Sequence, residues 1–148
     1  MKPKTAVSLV NRNGSLQLDI MLDSLFKSDI FNFEIFVYDN FSNKETQKIY
    51  EKYKLKKVFL SSKNDGIVLP RIFLMQEILK EGFDYVLEIH NDMIFSNNFF
   101  KPLIENFCNE TCITMPYMIQ GEKNPYPKKV EDINFNNSYK FIDKEKFY

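Results

Sequence analysis

The chain has 148 residues and a mass of 17.7 kDa, with twenty Lys and Arg balanced by twenty Asp and Glu. A single domain of this length buries roughly two thirds of its unfolded surface, so 44% hydrophobic and 16% aromatic residues can form a core without disulfide or metal staples. Zero net charge argues against nucleic acid as the main partner, because phosphate binding depends on a surplus of clustered Lys and Arg, and leaves room only for local basic patches.

In chain order, Thr5 to Asn11 (TAVSLVN) reads as a strand, closed by the turn Arg12-Asn13-Gly14. Ser15 is the expected cap of a helix whose apolar residues Leu18, Met21, Leu22, Leu25 and Phe26 share one face. Phe33 to Asp39 (FEIFVYD) is a second strand, followed by the polar stretch Asn40 to Lys44 and a Lys- and Glu-rich helix from about Lys44 to Tyr53. A third strand is predicted over Lys57 to Ser61, a turn over Ser62 to Gly66, and a helix over Val68 to Lys80 with Ile72, Met75, Ile78 and Leu79 at helical spacing. Gly82 falls where a helix C-cap is expected, and Asp84 to Ile89 (DYVLEI) is a fourth strand running into His90-Asn91-Asp92. Beyond it a helix near Phe99 to Phe107 and a strand over Thr111 to Met118 are expected, and the aromatic stretch from Gln120 to Tyr148 has no clear period.

Repeated strand, helix, strand units at this spacing predict an α/β fold with a mostly parallel sheet and helices on both faces. Residues 1–118 are read as one α/β domain, and residues 119–148 as an extension packed on it, whose aromatics are a candidate homo-oligomer contact. No apolar run approaches the roughly 18 to 20 residues that span a bilayer, and MKPKTAVSLVNRNG turns polar too soon for a signal peptide, so the expected location is the cytoplasm, including the inner face of the membrane. Cys108 and Cys112, with one His in the whole chain, cannot assemble a four-ligand zinc site and are expected to be ordinary thiols.

Ligands of open parallel sheets bind beyond the carboxyl ends of the strands. The residues that follow the four strands are Asn11 and Arg12, Asp39 and Asn40, Asn64 and Gly66, and His90, Asn91 and Asp92. Only two arginines occur against eighteen lysines, and both, Arg12 and Arg71, fall in or just after these loops, where a guanidinium fork suits phosphate or carboxylate. The Gly-rich phosphate cradles are missing: NRNGSL has one glycine where a dinucleotide fold needs G-x-G-x-x-G, and no G-x-x-x-x-G-K-[ST] occurs. A bound diphosphate would therefore be neutralised by other means: a divalent cation on a strand-end carboxylate, with an Arg nearby, would do it, and Asp92 is the natural ligand, with Asp39 placed for a ribose or base edge.

These residues carry a resemblance. The first 118 residues resemble the nucleotide-sugar-binding half of family 2 glycosyltransferases of the GT-A, Rossmann-like fold, through Asn11-Arg12, Leu22-Asp23-Ser24-Leu25, Asp39-Asn40-Phe41-Ser42, Asn64-Asp65-Gly66 with Arg71 after it, and His90-Asn91-Asp92 at the position of the metal motif. The resemblance implies a glycosyltransferase that moves a sugar from a nucleoside-diphosphate sugar, a UDP-sugar by first expectation, to the hydroxyl of a glycan or lipid-linked acceptor. It implies that Asn11, Arg12, Asp39, Asn40, Asn64, Gly66, Arg71 and Asn91 line the nucleotide-sugar site, and that Asp92 and His90 hold Mg2+ or Mn2+. Two departures stand out. His90 replaces the first acid of the metal motif, and about 30 residues stand where an acceptor-binding half with the general base belongs. None of Glu122, Glu131, Asp132, Asp143 or Glu145 has a context that identifies it as that base, so no catalytic residue is assigned. The alternative is a module that binds the nucleotide sugar and transfers nothing. A sugar-nucleotide-forming nucleotidyltransferase or a dinucleotide-dependent oxidoreductase is disfavoured by the missing Gly-rich loop.

Overall fold

The computed structural model describes residues 3–105. The expectations for Cys108, Cys112, the strand over Thr111 to Met118 and the extension over 119–148 lie outside these residues. Four strands, β1 (Thr5–Asn11), β2 (Phe33–Asp39), β3 (Lys57–Leu60) and β4 (Tyr85–Ile89), alternate with α1 (Ser15–Phe26), α2 (Lys44–Tyr50), α3 (Val68–Leu79) and a final α4 (Phe100–Glu105). All pairings are parallel and the order is β3-β2-β1-β4.

This order decides where each helix lies. The connections β1-α1-β2 and β2-α2-β3 step outward in one direction; the connection through α3 steps back across the sheet to place β4 on the other side of β1. Parallel crossovers are right-handed, so reversing the direction moves the crossing helix to the opposite face. Val7 and Leu9 of β1, Ile35 and Val37 of β2 and Ile89 of β4 accordingly pack with Leu18, Met21, Leu22 and Leu25 of α1, Ile49 and Tyr50 of α2, and Phe95 and Phe100. The alternate residues Ala6 and Phe36 meet Leu74 and Ile78 of α3 on the other side. Side chains of a strand alternate between faces, and one register of pairing therefore sorts both cores.

Some local details differ from the sequence expectation. Ser15 is the first helical residue rather than the cap; Gly14 caps α1 from a left-handed backbone (φ 73°), with no side-chain hydrogen bond. Asn13 before it is left-handed too, at φ 56°. Helix α2 is capped by Asn43, whose Oδ1 accepts from the Thr46 amide, and it ends at Tyr50. The C-cap of α3 is Lys80, with Gly82 (φ 67°) two residues further on. The buried side chains of α3 are Pro70, Leu74 and Ile78, four residues apart, while Ile72, Met75 and Leu79 are exposed. No helix among the described residues is long and apolar enough to cross a membrane.

Leu74→Ala removes a fully buried side chain from the thinner core and is expected to cost about 2–5 kcal/mol. Leu79→Ala, at a position 72% exposed, should stay within about 0.5 kcal/mol. Urea denaturation of both variants checks the assignment of the buried face; a larger loss for Leu79→Ala would contradict it.

Candidate functional site

The strands end in register. Asn11 pairs with Asp39, and Leu9 with Ile89, so the residues following β1, β2 and β4 emerge along one edge. β1 lies between β2 and β4, and the chain's winding reverses there, which makes the gap between the ends of β1 and β4 the topological switch point where open sheets bind ligands.

Four side chains form a hydrogen-bonded series across this edge. The Asn91 amide donates to Asn11 Oδ1 (2.7 Å), the Asn11 amide donates to the Tyr50 hydroxyl (2.8 Å), and Tyr50 donates to Asp39 Oδ2 (2.7 Å). Each donor points toward the carboxylate, an arrangement in which successive bonds polarise one another. Asp39 Oδ1 accepts from the Ser42 amide at 2.8 Å. Asp39 has no exposed surface and both of its oxygens are engaged within the protein. Burial, followed by the hydrogen bond to Asp39 and its charge, pushes the Tyr50 hydroxyl well above the usual phenol range.

A second group joins the β2 end to the loop after β3. The buried Asn40 donates to Asn64 Oδ1 (3.0 Å) and to the Gly66 carbonyl (2.6 Å), and its own Oδ1 accepts from the Asp65 amide (2.7 Å). Asn64 Oδ1 also accepts from the Gly66 amide at 3.1 Å, and Gly66 turns at φ 73°. Asp65 in turn accepts from Ser61 (2.6 Å) and Tyr38 (2.8 Å), which hold its carboxyl below the ordinary range. Between the two groups Phe41 is exposed and left-handed at φ 66°, a conformation that costs a non-glycine residue roughly 1–2 kcal/mol. The Ser42 hydroxyl, accepting from the Asn13 amide at 2.8 Å, ties this bend to the turn after β1.

The cationic residues sit differently from one another. Arg12 is exposed just past β1. Arg71, in the first turn of α3, pairs through Nε with Glu88 Oε1 (2.5 Å) and lies with Nη2 3.2 Å from Nε2 of His90. His90 and Asp92 are the residues expected to hold Mg2+ or Mn2+. A guanidinium has only donors, so His90 Nε2 is the acceptor of that bond and faces a positive charge rather than an open position. Asp92 is exposed, and no three His, Cys, Asp or Glu side chains gather around a common point among the described residues. Mg2+ takes about six oxygen ligands. One carboxylate beside an imidazole already bonded to a guanidinium does not fit such an ion without ligands from elsewhere.

The structure thus brings Asn11, Asp39, Asn40, Asn64, Gly66 and Asn91 into one connected edge, puts Arg71 and His90 together on the α3 side, and leaves Arg12 and Asp92 exposed. Sequence reading overlooked Tyr50 and Glu88. Tyr50 carries no local signal, since its position opposite Asp39 arises from α2 packing on the sheet. Glu88 did carry one: it is the charged member of an otherwise apolar strand, at a position alternating with Leu87 and Ile89.

The pattern of the family described as "Glycosyl transferase family 2" matches residues 7–148. No curated protein matches the chain by sequence. Among solved structures, S. aureus TarS is 28% identical with a TM-score of 0.60, over 69% of this chain and 19% of that one. The 1–349 piece of TarS in complex with UDP is 29% identical, with a TM-score of 0.59, over 69% and 31%. A mannosyltransferase from Pyrobaculum calidifontis, in complex with GDP-Man and Mn2+, shares the fold at 14% identity and a TM-score of 0.54, over 66% and 30%. This chain therefore spans less than a third of the length of these three structures.

Tyr50→Phe leaves Asp39 Oδ2 and the Asn11 amide without their buried partner, and a loss of about 1–3 kcal/mol is expected in urea denaturation. The raised Tyr50 pKa also fixes a sign. Above about pH 10 an unfolded tyrosine ionises while the folded Tyr50 keeps its proton, so the unfolded state binds fewer protons and stability falls as pH rises. Stability measured from pH 8 to 11 should decline less steeply in Tyr50→Phe; an identical alkaline slope would contradict the role given to the buried phenol.

Proposed function

The chain belongs to glycosyl transferase family 2 and has the GT-A fold, and from that premise we propose that the edge formed by Asn11, Asn40, Asn64, Gly66 and Asn91 binds a nucleoside-diphosphate sugar, specifically a UDP-sugar, for transfer to an acceptor hydroxyl. One observation carries the reading: the strand-end polar residues form two hydrogen-bonded groups, joined by the Asn40 backbone amide donating to the Asn11 carbonyl (2.8 Å), along the edge that contains the topological switch point. The complexes of the TarS 1–349 piece with UDP and with UDP-GlcNAc, each at 29% identity to this chain, support a uridine nucleotide as the ligand.

Within this reading the loop clamped by Asn40 forms the wall against which the base rests, since one buried amide side chain donates to the Gly66 carbonyl and to Asn64 Oδ1 and accepts from the Asp65 backbone amide. Asp39 contributes by holding Tyr50 and the Ser42 turn, because both of its oxygens are already engaged. Arg12 and Arg71 supply positive charge toward the diphosphate. During transfer the bond from the anomeric carbon to the β-phosphate oxygen breaks, a bond from that carbon to the acceptor oxygen forms, and the hydroxyl gives up its proton. Negative charge grows on the departing diphosphate, and a fixed guanidinium stabilises that charge more in the transition state than in the ground state. A divalent cation, if it enters with the nucleotide, has Asp92 as its carboxylate from this chain.

Calorimetric titration of the full chain with UDP, GDP and uridine tests the reading, followed by an assay for UDP released from UDP-sugars. UDP should bind more tightly than uridine or GDP, and Asn40→Ala should weaken UDP by about tenfold, equivalent to about 1.4 kcal/mol. A folded chain that binds no nucleotide would overturn the proposal. Binding without release or transfer would restrict it to a nucleotide-sugar-binding module. Asp92→Ala should remove whatever gain in UDP affinity Mn2+ provides; a gain that survives in this variant would exclude Asp92 as the ligand.

A further inference from the structure

On the α3 side of the sheet β4 presents Val86, then Glu88, and the chain continues to His90 at the same period of two. Arg71 reaches across from the first turn of α3 and is held by both polar residues. The Arg71 and Glu88 side chains are 39% and 46% exposed, a setting in which an ion pair adds little to stability. Its geometry is the more informative feature. Glu88 engages Nε and His90 engages Nη2, so two of the three guanidinium nitrogens are already held within the protein. Nη1 and the remaining Nη2 hydrogen are the donors not engaged by Glu88 or His90, and paired guanidinium donors suit two phosphate oxygens.

We propose that Glu88 and His90 are positioning residues that aim the end of the Arg71 fork at the diphosphate, and that His90 serves this arginine rather than a metal ion. The inference rests on the donor-site reading above. Charge explains why an imidazole suits the position. Arg71 with Glu88 is already neutral as a pair, and a second carboxylate at residue 90 would leave the cluster with a net negative charge facing an anionic ligand. A neutral ring that accepts one hydrogen bond fixes the guanidinium plane without adding that charge. Arginine needs such fixing, because the value of its fork lies in orientation and its long side chain otherwise samples many rotamers.

The experiment is titration of the full chain with UDP and with uridine in the presence of EDTA, comparing the unaltered protein with His90→Ala, His90→Gln, His90→Asp and Glu88→Ala. His90→Ala should weaken UDP by about tenfold and leave uridine unchanged, since only UDP carries the diphosphate. His90→Gln, with an amide oxygen to accept from Nη2, should recover most of that loss, which a purely structural defect would not allow. His90→Asp should bind UDP more weakly than His90→Gln. Thermal melting of each variant identifies any that fail to fold, and the His90→Gln and His90→Asp comparison then decides the matter. Unaltered UDP affinity in folded His90→Ala, or an equal loss for uridine, would overturn the assignment while leaving the donor site intact. Tighter UDP binding by Glu88→Ala would overturn it for Glu88, since the carboxylate would then be restraining the arginine. If the unaltered protein binds no UDP, the donor-site reading fails and this assignment fails with it.

Discussion

The hydrogen-bonded series from the half-buried Asn91 through the buried Asn11 and Tyr50 to Asp39 is the constraint on which the rest of the site depends. It joins the loop after β4, the end of β1, the last residue of α2 and the end of β2, four segments that are distant in sequence. Buried polar groups are costly unless each finds a partner, and here every member of the series finds one. The carboxylate at its end also fixes the Ser42 turn, which in turn holds Asn13 after β1. The shape of the edge is therefore set by one cooperative unit, and a displaced strand end would leave several buried groups unsatisfied at once.

That unit can form only because the sheet is parallel and in the observed register. Asn11 opposite Asp39 places two polar side chains on the α1 and α2 face at the very end of an otherwise apolar pair of strands. Toward the middle of the same face, Val7, Leu9, Ile35 and Val37 are fully buried. A slip of one residue would turn that apolar set toward the other face and separate Asn11 from Asp39. Core packing and site geometry are thus specified by the same register.

The two sides of the sheet do different electrostatic work. On the α1 and α2 side the polar groups are buried and satisfy one another, giving rigidity. On the α3 side Arg71 and Glu88 are 39% and 46% exposed, and Arg71 is held by Glu88 and His90. In the donor site proposed above, this division gives a fixed wall for the uncharged part of a nucleotide and a guanidinium fork for its phosphates. Under that proposal, one exposed carboxylate and an imidazole bonded to an arginine leave the fork more to do than it would have beside a metal-centred site.

Much of this was legible in the sequence. Thr5–Asn11 and Phe33–Asp39 are β-branched and aromatic runs bounded by turn residues, so strand propensity and polarity change together and the bounds of β1 and β2 coincide with expectation. The strand-end residues Asn11, Asp39, Asn40, Asn64 and Asn91 could be picked out because polar side chains at the ends of apolar strands stand out against them. Other features required the tertiary structure. The buried face of α3 could not be chosen from a helix apolar nearly all round, and only packing on Ala6 and Phe36 selected Leu74 and Ile78 over Met75 and Leu79. The partner of Asp39 is Tyr50, eleven residues away on another element, and the partner of His90 is Arg71, nineteen residues away across the sheet edge. Sequence pattern records which groups are polar and where each strand stops, because those are local properties of the chain. Which polar group satisfies which is settled by distance in the folded state, and distance between elements is fixed only when the sheet closes its register and the helices pack onto it.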